Sequence, residues 1–315
     1  MTEFNHKLKN VFHTLALFLC MGVILSLVGF ILAGVEGIVW AAFLGVLILV
    51  ISPNISPAFI FSMYGGKLLS ADNAPGLYQI IHELSARADL PAPPALYYLP
   101  SQLMNAFSVG TSANSAIGLS DALLNSLSTR EIIAVLAHEI SHIQHNDVRV
   151  MTYADIISRI THTLSLTGFL MILINLPLFF LGMVTISWGA LAVLIVAPNI
   201  MSFLQLSLSR MREFDADRQA VLLTGDPEGL AMALSKLEAY ETTIFDILFG
   251  RGHGASIPSI LRTHPVTEER IKRLLSLKKP QKPDLKYSNH DRFAIPVHYQ
   301  KSVKKPRWHL GGFWY

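Results

Sequence analysis

Two histidines and a glutamate are the residues of this chain whose types and spacing best suit chemistry. His138, Glu139 and His142 occur in the order HExxH. Residues four apart share one face of a helix, so both imidazoles could bind a single Zn²⁺. Glu139 would remain unligated and could take the proton of a water molecule whose pKa the metal lowers. Chance alone would give roughly 0.02 such motifs in a chain of this composition, so the pattern indicates a zinc hydrolase site.

A helix must carry this motif, and a helix start signal precedes it. Ser128 and Glu131 have the spacing of a capping box, in which each side chain bonds to the backbone of the other residue. Apolar residues then continue into the motif. The pattern predicts a helix that begins at Ser128 and ends at about Asn146.

A catalytic zinc needs a third protein ligand and an open fourth position. His145 lies on the stripe of His138, but a supporting or surface role suits it better, and Val148 stands where the metzincin pattern requires a histidine. Glu213 and Asp217 are better candidates because they lie four apart on one predicted helical face. Glu213 could complete the metal site while Asp217 orients a ligating imidazole. On spacing alone, a solvated charged face is an equally good interpretation.

Long stretches without charge indicate that the chain crosses a membrane. Apolar residues make up 51% of the 315 residues and charged residues only 15%, and the mean hydropathy is +0.43. A hydrocarbon core about 30 Å thick needs about 20 helical residues. Residues 11–35, 38–61, 164–181 and 186–206 therefore predict four transmembrane helices. Pro53 or Pro57 could bend the second, and Pro177 and Pro198 could break or tilt the last two.

Basic residues flank these predicted spans on one side only. Lys9, Lys67, Arg159 and Arg210 lie on that side, whereas the two short turns between paired spans contain no Lys or Arg. The positive-inside rule makes this side cytoplasmic. Both termini and the two polar regions, 67–160 and 210–280, should therefore face the cytoplasm. We predict that these two regions form one catalytic domain.

The composition also excludes several classes of protein. The apolar content excludes a disordered chain, a fibrous repeat and a nucleic-acid module, and the net charge of +3 is too small to indicate a polyanionic partner. Cys20 is the single cysteine, so no disulfide can form within the chain. The lipid bilayer is a predicted partner and nucleic acid is not.

The predicted fold is a mainly α membrane protein with about four transmembrane helices and a cytoplasmic α+β zincin-like catalytic domain that contains a small β-sheet. Short strands are predicted at 95–99, 104–110 and 116–119, and further helices begin at Asp226 and Thr267. The predicted divisions are a first hairpin at 1–66, catalytic parts at 67–160 and 210–280, a second hairpin at 161–209 and a basic tail at 281–315.

Four short motifs resemble those of a known family. HEISH at 138–142, REFDAD at 212–217, NAF at 105–107 and THP at 263–265 occur in the same order as in the HtpX family of membrane zinc proteases, whose wider group contains the type 1 CAAX prenyl proteases. The resemblance extends from the first span to about Leu277. It implies a gluzincin-type endopeptidase with one Zn²⁺ per chain in the bacterial cytoplasmic (inner) membrane. Its substrates would be membrane proteins or unfolded polypeptides, cleaved in membrane-protein quality control.

The same resemblance implies roles for individual residues. Glu213 would be the third zinc ligand, Asn105 would belong to an edge strand that aligns the substrate backbone, and His264 would lie near the cleft and assist the oxyanion. From the residues alone, Asn105 is a strand or turn residue and His264 is a loop residue. The chain departs from many relatives at His145 and Asn146, and beyond Pro280 it matches no part of the family pattern.

Three other functions can be distinguished from proteolysis of this kind. Prenyl-protein processing is an alternative, but those relatives surround an intramembrane chamber with more spans than four. A non-catalytic zinc-binding scaffold is disfavoured because His138, Glu139 and His142 are all intact. A transporter is disfavoured because the predicted spans have no interior ionisable residue apart from His13, which is near an end, and His162, which is at a boundary.

Overall fold

Helices account for most of the chain in the computed structural model, which describes residues 3–51, 56–249 and 267–277. The predicted basic tail and His264 lie outside these residues. The helices are α1 (Glu3–Ile51), α2 (Pro57–Met63), α3 (Pro75–Arg87), α4 (Asp121–Ser126), α5 (Thr129–Gln144), α6 (Asp147–Phe180), α7 (Trp188–Thr224), α8 (Pro227–Phe249) and α9 (Thr267–Ser276). The strands are β1 (Lys67–Leu68), β2 (Ala95–Leu99), β3 (Ala106–Thr111) and β4 (Asn114–Ser120).

The chain divides into two compact units that alternate along the sequence. One comprises residues 1–54 and 149–211, and the other comprises residues 55–148 and 212–315. The sequence predicts boundaries after residues 66, 160, 209 and 280. The five-part division given above stays a prediction.

Three helices of the described chain, α1, α6 and α7, are long and apolar enough to cross a membrane. The first contains a reversal at Ala33 and Gly34, where Gly34 has a positive φ of 60°. A Cβ added to Gly29 would lie 2.7 Å from the carbonyl oxygen of Gly37. Residues eight apart in a straight helix are about 12 Å apart along its axis, so α1 folds back and contains two apolar arms. With α6 and α7, these arms give four apolar segments among the described residues, and that four helices cross the membrane stays a prediction.

Small side chains line the buried face of α6 in the apolar unit. Ala154, Ser158, Thr161 and Ser165 are all buried, and a Cβ added to Gly168 would meet Leu32 and Leu194 side chains. Small residues let helices approach closely in a membrane, where packing rather than the hydrophobic effect holds them together. Pro177 and Pro198 lie inside α6 and α7 and end neither helix.

The second unit contains a four-stranded sheet in the order β1-β2-β4-β3. Strands β2 and β4 are parallel, whereas β1 pairs with β2 and β3 pairs with β4 in antiparallel fashion. The register places Ala106 opposite Leu119 and Thr111 opposite Asn114. Strand β3 is therefore an edge strand among the described strands. The mainly helical fold with a small sheet confirms the predicted fold class.

Helix α5 runs through the core of this unit and packs on α3, α8 and β3. Its apolar positions are buried on nearly every side, including Ile132, Leu136 and Ile140. The predicted capping box is present: the Ser128 hydroxyl accepts from the Glu131 N–H, and the Glu131 carboxylate accepts from the Ser128 N–H at 2.7 Å. This cap fixes where α5 begins, so it sets which residues of the helix face the site.

Candidate metal centre

One face of α5 brings the two motif histidines together. The Nε2 atoms of His138 and His142 are 3.1 Å apart, and the ring planes are almost perpendicular, at 88°. His138 is 8% exposed, so its ring lies largely out of bulk water. Two imidazoles aimed at one point in this way match the ligand geometry that the spacing of the motif predicts.

Helix α7 supplies a carboxylate to the same point. Glu213 Oε2 lies 3.4 Å from His138 Nε2, and Glu213 Oε1 lies 3.8 Å from His142 Nε2. The three ligand atoms all lie within 4.8 Å of one another. Ligand atoms bound to a tetrahedral zinc at 2.0–2.1 Å are about 3.3 Å apart. These three side chains therefore fit a zinc ion in both donor type and spacing.

A second carboxylate from α7 and an arginine from α9 support His138 and Glu213. Asp217 Oδ1 lies 3.1 Å from His138 Nδ1, on the side of the ring away from the ligand atoms. Arg270 donates to both oxygens of Asp217 at 2.6 and 2.7 Å, and its third nitrogen lies 2.8 Å from Glu213 Oε2. Arg270 is 3% exposed, and it thus places one buried positive charge against two buried carboxylates.

These charges change the proton affinity of the site. Burial alone would lower the pKa of His138, but hydrogen bonds to Asp217 and Glu213, with their negative charges, raise it to about 10. Burial would raise the pKa of Asp217, whereas Arg270 and His138 lower it below its usual value. The surroundings of His138 therefore favour a positive charge at this position, which a proton or a metal ion can supply.

His142 has a different partner, which the sequence analysis did not identify. Asp147 Oδ2 lies 3.0 Å from His142 Nδ1, and Asp147 Oδ1 accepts from Arg212 at 2.9 Å. Both histidines thus have a carboxylate on Nδ1, and each carboxylate is paired with an arginine.

Of the other candidate residues, the structure describes Glu139, Asn105 and His145. Glu139 is buried, and its carboxylate makes no hydrogen bond or ion pair to any residue that the structure describes. Asn105 is exposed and precedes β3, where its backbone is bonded to Ser120 of β4. His145 Nδ1 donates to the carbonyl oxygen of Ser141 at 2.9 Å, and His145 is not among the three converging ligands. His264 lies outside the described residues.

Arg270 is the second functional candidate that the sequence analysis missed, and a signal for it exists. Arg270 lies four residues before Leu274, so a charged residue occupies the buried face of an amphipathic helix. A charge on such a face requires a buried partner, which here is the pair of carboxylates on α7. No comparable signal marks Asp147, because five residues along a helix correspond to a rotation of about 140° away from His142.

Comparison with known proteins assigns the chain to a family. The model of peptidase family M48 matches residues 71–278, which include His138, His142 and Glu213. The chain belongs to peptidase family M48. As a member of this family it is a metalloprotease, and the predicted enzyme class is confirmed.

Relatives of this M48 peptidase carry the name that the motifs indicate. A protein named protease HtpX homolog from Ralstonia nicotianae is 32% identical over 288 residues, which cover 85% of this chain and 97% of the relative. A protein of the same name from Aquifex aeolicus is 33% identical over 274 residues, covering 81% and 88%. The predicted resemblance to HtpX proteases is therefore confirmed, and this M48 peptidase is a membrane protein.

A solved structure is similar to the M48 peptidase in fold. The crystal structure of Ste24p from S. mikatae superposes with a TM-score of 0.50 at 23% identity. The match covers 85% of this chain and 66% of that protein. At this identity the likeness supports the fold alone.

Proposed function

We propose that this M48 peptidase is a zinc endopeptidase of the bacterial inner membrane that cleaves membrane proteins or misfolded polypeptides at the cytoplasmic face. The convergence of His138 Nε2, His142 Nε2 and the Glu213 carboxylate is the observation that carries the proposal. The donor set of two imidazoles and one carboxylate is the one used by gluzincin-type catalytic zinc sites. One coordination position would remain for water or substrate.

Glu139 would move the protons of the reaction. Zinc in this site would polarise the scissile carbonyl and acidify the attacking water. Glu139 follows His138 on α5, and its negative charge is among those that raise the pKa of Arg270. It is proposed to accept a proton from that water and pass it to the leaving amine. His264 is proposed to assist the oxyanion, on the resemblance alone.

The edge strand β3 offers a way to hold the substrate backbone. Asn105 uses its N–H and carbonyl towards Ser120, so β4 occupies the inner edge of this segment. No described strand pairs with the outer edge of β3. An extended peptide could add there by β-augmentation, with its backbone bonded to residues 105–111. The exposed Asn105 side chain would lie at the start of that strand.

Two features support action at the membrane surface. Helix α7 begins in the apolar segment and continues without a break through Glu213 and Asp217. Glu213 stands a few residues past the predicted end of the fourth span, which corresponds to about 10 Å along a helix. The basic residues that flank the spans favour the cytoplasmic side for this end.

Substitution of Glu139 by Gln tests the proposal. We expect Glu139→Gln to retain one zinc per chain but to lose casein hydrolysis by at least about a hundredfold, because a general base typically contributes 10²–10⁴-fold. Glu228→Gln, which changes an exposed glutamate, is the matched control and should remain active. Zinc content is measured by elemental analysis. Casein hydrolysis is measured with and without a chelator. Near-normal turnover by Glu139→Gln would overturn the mechanism.

A prenylated peptide assayed beside casein tests the alternative substrate class. We expect it to be cleaved no faster than the same peptide without its lipid. A strong preference for the prenylated form would instead support prenyl-protein processing.

A further inference from the structure

We propose that Asp147 and Arg212 are positioning residues for His142, which fix the imidazole so that its Nε2 faces the metal. This inference rests on the proposed function, because it assigns a role toward the same zinc site. Asp147 Oδ2 is 3.0 Å from His142 Nδ1 and Asp147 Oδ1 is 2.9 Å from an Arg212 nitrogen. Asp147 is only 2% exposed.

The chemistry of this chain of contacts determines which ring nitrogen is available. A carboxylate beside Nδ1 favours the tautomer in which Nδ1 carries the proton and donates it. The lone pair of Nε2 is then free, and it points to the position shared with His138 and Glu213. Arg212 occupies the other oxygen of Asp147, so the carboxylate cannot rotate away without losing a charge-assisted bond. Mutation of a carboxylate that holds a metal-ligating histidine in this way typically lowers metal affinity 10–100-fold.

A break in the helix makes this contact possible. In an uninterrupted helix Asp147, five residues after His142, would lie about 140° around the axis. Instead α5 ends at Gln144, and Asn146 adopts a positive φ of 54° before α6 begins at Asp147. Asparagine tolerates this left-handed conformation better than most residues. The turn at Asn146 therefore returns the chain so that the first residue of α6 reaches back to the ring of His142.

The two carboxylates that contact the Nδ1 atoms of the motif histidines belong to different helices and are held by different arginines. Asp217 belongs to α7 and is held by Arg270 of α9, whereas Asp147 begins α6 and is held by Arg212 of α7. Asp147 also lies in the first turn of α6, where the helix dipole favours a negative charge. One turn and a half of α7 thus contributes Arg212 for His142, Glu213 for the metal and Asp217 for His138.

Zinc affinity of the full-length protein in detergent tests the assignment. We expect Asp147→Asn to raise the zinc Kd 10–100-fold in competition with a chromogenic chelator, and Arg212→Met to raise it in the same direction. Since both act through His142, the double variant should bind no more weakly than Asp147→Asn alone. The absorption spectrum of the cobalt-substituted protein should change in these variants because the ligand geometry changes.

A partly exposed acid–arginine pair elsewhere provides the control. Asp226 pairs with Arg130 and caps α8, so Asp226→Asn should lower the melting temperature without changing zinc affinity or the cobalt spectrum.

The turn at Asn146 is tested by comparing Asn146→Val with Asn146→Gly, because valine disfavours a positive φ and glycine does not. Only the valine variant should weaken zinc binding. If Asp147→Asn does not fold, Arg212→Met and the Asn146 pair measure the same effect.

The outcomes separate this inference from the proposed function. A zinc Kd for folded Asp147→Asn within twofold of the wild type, or an equal loss of affinity in Asp226→Asn, would overturn the role of Asp147. Failure of the wild-type protein to bind zinc at all would overturn the proposed function instead.

Discussion

His138 stands between two acidic side chains, and its surroundings explain why this position suits a cation. Asp217 lies 3.1 Å from one ring nitrogen and Glu213 lies 3.4 Å from the other. Their combined effect raises the pKa of His138 to about 10 despite its burial. A zinc ion supplies positive charge in place of the proton and adds directional bonds to all three ligands. Arg270 alone does not balance Glu213, Asp217 and Glu139.

The third ligand can be tested by its removal. We expect Glu213→Ala to lose stoichiometric zinc, since two imidazoles alone leave the ion with half of its usual protein and water ligands. Metal analysis after gel filtration measures the loss. Glu269→Ala, which removes an exposed carboxylate paired with Arg273, is the control and should keep its zinc. Unchanged zinc occupancy in Glu213→Ala would transfer the ligand role to another residue.

Among the elements, α5 depends most on its first turn. Glu131 is buried, bonds to the Ser128 backbone and hydroxyl, and lies 2.7 Å from the Lys236 ammonium. Burial would raise the pKa of Glu131, but the bonds to Lys236 and Ser128 outweigh it, and the pKa is lowered below its usual value. This carboxylate therefore stabilises the folded unit at neutral pH.

The lowered pKa of Glu131 predicts a pH dependence of stability. A carboxylate with a lowered folded-state pKa stabilises the protein above the unfolded pKa of about 4.5 and loses this effect as the pH falls through the folded-state pKa. We expect Glu131→Gln to cost about 1 kcal/mol or more at pH 6.5, the usual cost of losing a cap, and progressively less below pH 4.5. Thermal unfolding of both proteins at several pH values measures this. Glu83→Gln, at a half-exposed ion pair, should change little at either pH.

Local patterns predicted the elements well because their causes are local. The capping box, the HExxH face and the strands at 95–99 and 116–119 each depend on neighbours within a few residues, and the structure contains them. The contacts of Arg270 with Asp217 and of Arg212 with Asp147 join residues 53 and 65 positions apart. Such pairs depend on how helices pack, which periodicity alone does not determine. The reach of Asp147 to His142 depends further on one left-handed residue, Asn146.

For the whole molecule, the arrangement of charges predicts which parts face each side of the membrane. The turn between α6 and α7 should face away from the cytoplasm, whereas the start of α8 should face it. Cys20 is the single cysteine, so Cys20→Ser provides a background for labelling. We expect Met183→Cys to react with a membrane-impermeant maleimide in intact spheroplasts, and Glu228→Cys to react only after permeabilisation. The reverse pattern would place the metal centre on the other side.

The position of the metal ligands on long apolar helices also predicts a preference among substrates. Glu213 shares α7 with the fourth apolar segment, so a polypeptide anchored in the same bilayer is delivered at a high effective concentration, which for short flexible linkers reaches the mM range. We expect the full-length enzyme in liposomes to cleave an unfolded substrate at least about tenfold faster when a transmembrane helix anchors that substrate than when it is soluble. Detergent micelles that separate enzyme from substrate should abolish the difference, because each molecule then diffuses independently. Equal rates for the two substrates in liposomes would mean that the membrane only holds the enzyme and does not select what it cleaves.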